Sequence, residues 1–432
     1  MSIVSRLRRW KPYLLPAILL GIAGAILALA IAWRPAIAPI HAPDRGSFAP
    51  QLVALGASLA KIGDCAVCHT AERGRPLAGG RGLPTPFGML YSTNLTPDED
   101  TGIGKWSEAA FRRAMVDGVS RDGRHLYPAL PYEHFTHVAD EDVRAIYAFL
   151  MTRRPVRQVP PANRLIPPLG FRPLLAGWKM LFLKKGAFQS DPARSDVLNR
   201  GAYLAEGLGH CGGCHTPRNL MGAEQSSRAY AGGVAEGWRA PALDKTNPAA
   251  GSWTTEALYT YLRTGISPDH GVAAGSMGPV VESLSEADDK DVRAIAAYIA
   301  SGMQGGSSTR WAPVDHSVEA AREFPKGAQL FAGACAACHG SGAPMASQGR
   351  PQLGLATSMR DQDPQSAIQA VLVGVNPPVA GRGPKMPGYV DSLTDEQIAQ
   401  LLSYGRRRFT DLPVWDGLQK KVVKARKEAV EP

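Results

Sequence analysis

The sequence carries C-x-x-C-H three times, as CAVCH at 65–69, CGGCH at 211–215 and CAACH at 335–339. These copies hold all six cysteines of the 432-residue chain. On one helical turn, residues i, i+3 and i+4 share a face. That spacing lets two thiols add to the two vinyl groups of one haem while the adjacent imidazole reaches the iron, the pattern of c-type haem attachment. A zinc site needs a fourth ligand and usually a second C-x-x-C close by. A redox dithiol of the thioredoxin kind needs a βαβ setting. Neither context surrounds these motifs. Cys65, Cys68, Cys211, Cys214, Cys335 and Cys338 are therefore expected to hold three covalently bound haem c groups. His69, His215 and His339 are expected to ligate the irons from one side. No cysteine remains for a disulfide framework or as an isolated nucleophile.

Aligning the motifs exposes an internal repeat. GASLAKIGDCAVCH, GAYLAEGLGHCGGCH and GAQLFAGACAACH each open on Gly-Ala and a short apolar helical pattern, with Gly56, Gly201 and Gly327 ahead of the first cysteine. Each unit closes on an amphipathic helix, predicted over 140–151, 286–300 and 394–405. Acidic first turns begin these helices, and Ser285 to Asp288 and Thr394 to Gln397 read as capping boxes. Between the helices lie long Gly/Pro-rich tracts with little strand alternation. The expected organisation is mainly α: an N-terminal segment 1–40, units over 48–154, 195–303 and 322–412, linkers over 155–194 and 304–321, and a basic tail over 413–432. Within the first linker, LLAGWKMLFLKKG (174–186) is expected to pack against the units, a place in the membrane interface being the alternative. The tail is expected to be a solvated helix or partly disordered.

The sixth iron position decides the chemistry. A His/Met pair raises the potential and fills the iron, which suits electron transfer. HGVAAGSMGPV and GRGPKMPGYV each place a methionine in a Gly/Pro loop shortly before the closing helix, so Met277 and Met386 are the expected distal ligands. A methionine filling a core gap is the plainer reading; the loop setting favours ligation. The matching loop of the first unit, RHLYPALPYEHFTHV, has Leu130 where a methionine is expected. His134 is the preferred substitute over His125, His137 and Met115, and an open or differently ligated iron is the alternative. A bis-histidine iron would have the lower potential and make an entry point for electrons.

The net charge is +10. Three haems bring six propionates, leaving about +4, and no basic stripe interleaves with aromatics, so nucleic acid is not an expected partner. Arg6, Arg8, Arg9 and Lys11 precede an uncharged stretch from Leu14 to Trp33. Twenty residues match a hydrocarbon core of roughly 30 Å, and the cationic flank keeps the N-terminus cytoplasmic. A retained transmembrane anchor is expected, with a cleaved signal ending near Ala36-Ile37-Ala38 as the alternative.

TPFGMLYSTNLTPDEDTGIGKWSEAAFRRAM, DGRHLYPALPY, NRGAYLAEGLGHCGGCHTPRN and LYTYLRTGISPDHGVAAGSM resemble the triple-haem cytochrome c subunits of bacterial membrane-bound dehydrogenases. The resemblance spans nearly all of residues 50–410. It implies three tandem class I cytochrome c-like domains behind an N-terminal transmembrane helix. It also implies a chain that is not catalytic alone: it takes electrons from a dehydrogenase catalytic subunit and passes them to membrane quinone or the respiratory chain, a terminal oxidase included. The implied location is the bacterial inner membrane with the haem domains on the periplasmic side. Relatives attached to quinoprotein or flavin dehydrogenases usually read Tyr-Pro-Ala-Met-Pro in the first loop. LYPALPYEHF together with RRRFTDLPVWDGL looks closer to cytochromes paired with molybdopterin hydroxylases. The competing reading is a multihaem peroxidase-like enzyme with an open iron in the first domain.

Overall fold

The computed structural model describes residues 15–430 apart from positions 17, 21, 25, 27, 28, 308–310, 344–351, 378 and 380–384. Three units follow one plan, in which an entry helix leads into the C-x-x-C-H turn and a closing helix returns across the entry helix. The pairs are α1 (Pro50–Ile62) with α2 (Asp140–Met151), α3 (Asp196–Tyr203) with α4 (Asp289–Met303), and α5 (Pro325–Ala334) with α6 (Asp395–Phe409). The repeated glycine is what lets each pair cross closely. A Cβ on Gly56 would lie 1.9 Å from the carbonyl oxygen of Ala145, one on Gly201 2.1 Å from that of Ala294, and one on Gly327 2.3 Å from that of Gln400. Phe149, Tyr298 and Tyr404 cap the three crossings from the closing helices. Backbone cannot yield as a side-chain tip can, so Gly201→Val should force the second pair apart. The expected cost is ~2–3 kcal/mol, read as a lower denaturation midpoint of the haem-loaded chain.

Thr394 caps α6, its hydroxyl accepting from the Gln397 amide while the Gln397 side chain accepts from the Thr394 amide. The second closing helix departs from expectation. Ser285 ends the preceding helix, Met277–Ser285, and Asp288 caps α4 by accepting from the Lys290 amide. The Gly/Pro-rich tracts also form small hairpins: Gly82–Thr85 with Gly88–Tyr91, and Gly233–Ala235 with Trp238–Ala240. Turn-bound strands this short leave no run of alternation to read.

Units one and two share one apolar core, in which Leu59, Ile146 and Leu150 meet Leu204, Leu208 and Val292. The Tyr203 hydroxyl donates to Asp142 Oδ2 at 2.6 Å across this seam. Unit three has its own core around Phe331, Ile368, Leu372 and Ile398. It is joined to unit two by Arg239 Nε to Asp361 Oδ2 at 3.0 Å and by the Thr357 amide to the His270 carbonyl at 3.0 Å. The tail is not a solvated extra: helix Leu418–Val430 buries Leu418, Val422 and Ala425 in the third core, and Arg426 Nε donates to Asp395 Oδ1 at 2.6 Å.

Asp315, ahead of the third entry helix, receives Arg408 Nε and Nη2 at 2.9 and 2.8 Å. These bonds hold its carboxyl down to about 2. An unfolded aspartate titrates near 3.9, so the pair's contribution is complete above about pH 4 and is lost as pH falls toward 2. The pair is partly exposed, and screening trims it to about 1 kcal/mol. Asp315→Asn should cost that much at pH 7 and progressively less as pH is lowered from about 4 through 2 when unfolding is followed across that range.

Where described, the N-terminal stretch up to Ala32 is helical and its large apolar side chains are exposed. Among the described residues no helix is long and apolar enough to cross a membrane. The cationic flank Arg6 to Lys11 lies outside them.

Candidate haem-attachment sites

Each entry helix breaks just ahead of its motif. In units one and two, the break is a non-glycine residue with left-handed backbone, Asp64 at φ 53° and His210 at φ 37°. The chain then makes one tight turn. The His69 amide donates to the Cys65 carbonyl at 3.0 Å, His215 to Cys211 at 3.0 Å and His339 to Cys335 at 2.9 Å. This i to i+4 closure sets the first cysteine and the histidine on one face, as covalent attachment needs. Burial pushes the thiols up, to about 12 at Cys65 and Cys211 and about 11 at Cys68 and Cys335. Such thiols stay protonated at neutral pH and are poor nucleophiles for dithiol exchange.

The imidazoles are oriented from behind. His69 Nδ1–H donates to the Thr93 carbonyl at 2.6 Å, and His215 Nδ1–H to the Pro241 carbonyl at 2.7 Å. A carbonyl can only accept, so Nδ1 carries the proton and Nε2 keeps its lone pair for a metal. Burial lowers both imidazoles below their ordinary value, keeping them neutral. The next residue repeats as well. The Thr70 hydroxyl accepts from the Leu77 amide at 3.1 Å and the Thr216 hydroxyl from the Tyr230 amide at 3.0 Å. Sequence reasoning missed Thr93 and Pro241, since backbone acceptors carry no residue signature. The paired His-Thr was the available hint. Unit three has Gly340 in its place.

Met277 starts helix Met277–Ser285 and is half-buried against the shared core. Gly275 supports its loop with a positive φ of 55°, and a Cβ there would lie 2.4 Å from the Trp238 ring. Met386 is half-buried against the third core, its amide and carbonyl both bonded to Val375 at 2.9 and 3.0 Å. Both methionines are thus pinned by backbone rather than loosely filling a gap.

The first unit differs. Leu130 packs against the shared core in the Tyr127–Pro131 turn. The preferred histidine, His134, faces away from the role given to it. Its Nδ1 pairs with the Glu206 carbonyl at 2.7 Å and its Nε2 with Glu224 Oε1 at 2.8 Å. It packs on Gly212, at the back of the second motif. Burial pulls its pKa down, but the Glu224 carboxylate outweighs this and leaves it raised, favouring the imidazolium that ligates nothing. His125 is committed to the Ala32 carbonyl at 2.8 Å and to Lys179 at 3.1 Å, and His137 Nδ1 to the Gly186 carbonyl at 2.8 Å. Met115 is core.

One bridge joins the first two sites. Arg81 donates to the Val67 carbonyl at 3.1 Å, inside the first motif, and to Glu236 Oε1 at 3.2 Å. Glu236 Oε2 accepts from the Ser276 hydroxyl at 2.7 Å, next to Met277.

The donor set therefore fits haem c: paired thiols, a neutral imidazole with Nδ1 held from behind, and two backbone-pinned thioethers. Three such cysteine-pair sites are consistent with three covalently bound haem c groups. Residues 53–154, 199–302 and 324–405 each match the cytochrome c family, and the chain belongs to it. It is 47% identical to a nicotinate dehydrogenase subunit from Pseudomonas putida, over 94% of this chain and 34% of that protein, so it spans about a third of that relative. It is 38% identical to the gluconate 2-dehydrogenase cytochrome c subunit of Pantoea cypripedii, over 82% of this chain and 85% of that one. With the fructose dehydrogenase cytochrome subunit of Gluconobacter japonicus the identity is 35%, over 86% and 80%. Dehydrogenase cytochrome c subunits are its relatives.

Proposed function

We propose that this chain carries electrons one at a time from a dehydrogenase catalytic subunit to membrane quinone or the respiratory chain. Three domains, 48–154, 195–303 and 322–412, stand on the periplasmic face of the bacterial inner membrane, held by the apolar N-terminal segment. Haem c, when bound, supplies an iron that alternates between ferric and ferrous states without making or breaking bonds to substrate. The protein supplies the rest. Cys65 and Cys68, Cys211 and Cys214, and Cys335 and Cys338 anchor the groups, and His69, His215 and His339 hold the metal from one side. Met277 and Met386 would supply thioethers to the haems of units two and three. The observation that carries this reading is the carbonyl behind His69 and His215, which presents a neutral ring nitrogen beside each cysteine pair.

The higher identity to a nicotinate dehydrogenase subunit than to the sugar dehydrogenase cytochromes favours a catalytic partner that oxidises an N-heterocycle, of the molybdopterin hydroxylase type. A tagged chain taken from its native membrane should bring such a subunit with it, and adding the heterocycle should reduce the haems. A chain that purifies alone and stays oxidised under that addition overturns the proposal.

One observation favours a second property. His134 and His125 are each bonded at both ring nitrogens, and Leu130 stands where the other units carry methionine. We infer that a haem held by Cys65, Cys68 and His69 would find no second ligand in His134 or His125. This keeps open the reading of a peroxidase-like enzyme, and exogenous ligands test it.

A further inference from the structure

The linker helix Leu174–Phe182 is built inside out for a helix in water. Its one charged residue in the middle, Lys179, is 9% exposed. The ammonium donates to the carbonyls of Asp117 at 2.8 Å and Gly118 at 2.5 Å, and pairs with His125 Nδ1 at 3.1 Å. Several of its apolar side chains instead point out. Met180 and Leu181 are 73% and 68% exposed, and Leu174 and, just before the helix, Phe171 are about half exposed. Positions 174, 177, 180 and 181 fall within about 120° of one another around the helix, so Leu174, Met180 and Leu181 form a stripe. The sequence-based expectation that this segment packs on the units holds only for its other face, where Trp178 meets Tyr132 edge-on at 6.1 Å.

The stripe does not stand alone. Trp178 Nε1–H donates to the Met221 carbonyl at 3.0 Å, which brings in the Leu220 loop, where Leu220 is 99% exposed. Lys184 and Lys185 follow the helix and are exposed, Lys185 being paired with Asp117. Burying an ammonium while leaving Leu and Met outside costs free energy in water on both counts. The arrangement suits a helix lying in the boundary between headgroups and acyl chains, with Lys184 reaching anionic headgroups.

The position of the N-terminal segment identifies the occupant. His125 Nε2–H donates to the Ala32 carbonyl at 2.8 Å, at the end of the apolar stretch, while the same ring takes Lys179 on Nδ1. Arg172 also donates to the His125 carbonyl at 2.7 Å. One histidine thus ties the linker helix to the place where the proposed anchor leaves the bilayer. We propose that the outward stripe of Leu174–Phe182 and the Leu220 loop lie in the headgroup layer of the membrane that holds the N-terminal segment. This rests on the membrane reading above. Together they form a second, monotopic contact that fixes how unit one faces the lipid.

The test uses the full haem-loaded chain in vesicles of phosphatidylcholine with some phosphatidylglycerol. A nitroxide is attached in turn to Leu181→Cys, to Ile18→Cys in the apolar segment, and to Val318→Cys on unit three. Accessibility to a water-soluble nickel complex is then measured against oxygen. Nickel accessibility at 181 is expected to fall at least about threefold below that at 318, as for a site several ångströms into the interface. Protection at 18 with full accessibility at 181 overturns this inference and leaves the anchor standing. Accessibility at both overturns the membrane reading too, and protection at 181 alone keeps the stripe and removes the anchor.

Discussion

Replacing Met277 with leucine is expected to lower the potential of the second haem by on the order of a few tenths of a volt, within the roughly 0.8 V that axial ligands span. Leucine matches methionine closely in volume, so the fold should change by less than about 1.5 kcal/mol. The loop has other holds, since Gly275 stays clamped against Trp238 and Ser276 keeps its bond to Glu236. What disappears is the thioether, which favours the ferrous state and excludes exogenous ligands. A redox titration should therefore show one of three steps moving down. The reduced variant should take up one more equivalent of carbon monoxide than the parent chain. Met386→Leu should do the same to the third step. An unmoved titration curve would return Met277 to the role of core filler.

The contrast between these methionines and His134 shows what was legible in the chain. Helix Asp140–Met151 was readable to the residue, because three acids open it and Val143, Ile146, Tyr147 and Leu150 mark one face. The Met277 and Met386 loops stand out because local Gly and Pro punctuation isolates them, and the titration above tests their role as ligands. His134 was not. Its bonding partners lie 72 and 90 residues away, at Glu206 and Glu224, and no local pattern tells which unit a loop residue reaches. The tail helix was misjudged for a related reason. Its lysines dominate the composition, while the buried Leu418, Val422 and Ala425 make a stripe too thin to weigh against them. The shared core of units one and two was also hidden, since three similar repeats give no sign of which pair will fuse. The repeat glycines stood in view from the outset, yet their purpose emerged only once a Cβ was seen to strike the opposite carbonyl.

The reverse substitution, Leu130→Met, is expected to convert the first unit from the exception to the rule. Leu130 sits in a turn closed by its amide to the Tyr127 carbonyl at 3.1 Å, and the Tyr132 amide bonds back to the Leu130 carbonyl at 2.7 Å. The side chain is therefore presented by fixed backbone, as at Met277 and Met386, and the two residues are near enough in volume for the change to be tolerated. The parent chain should bind carbon monoxide at one haem of three when reduced, and Leu130→Met should bind none. Its lowest redox step should rise by on the order of a few tenths of a volt toward the His/Met pair. Peroxidase turnover, if the parent shows any, should vanish with the carbon monoxide site, because both need the same vacant position. His134→Gln separates the alternatives. It should leave carbon monoxide stoichiometry at one, since His134 serves the Glu206 and Glu224 junction. Were it to raise the stoichiometry from none to one, the imidazole would be the ligand after all.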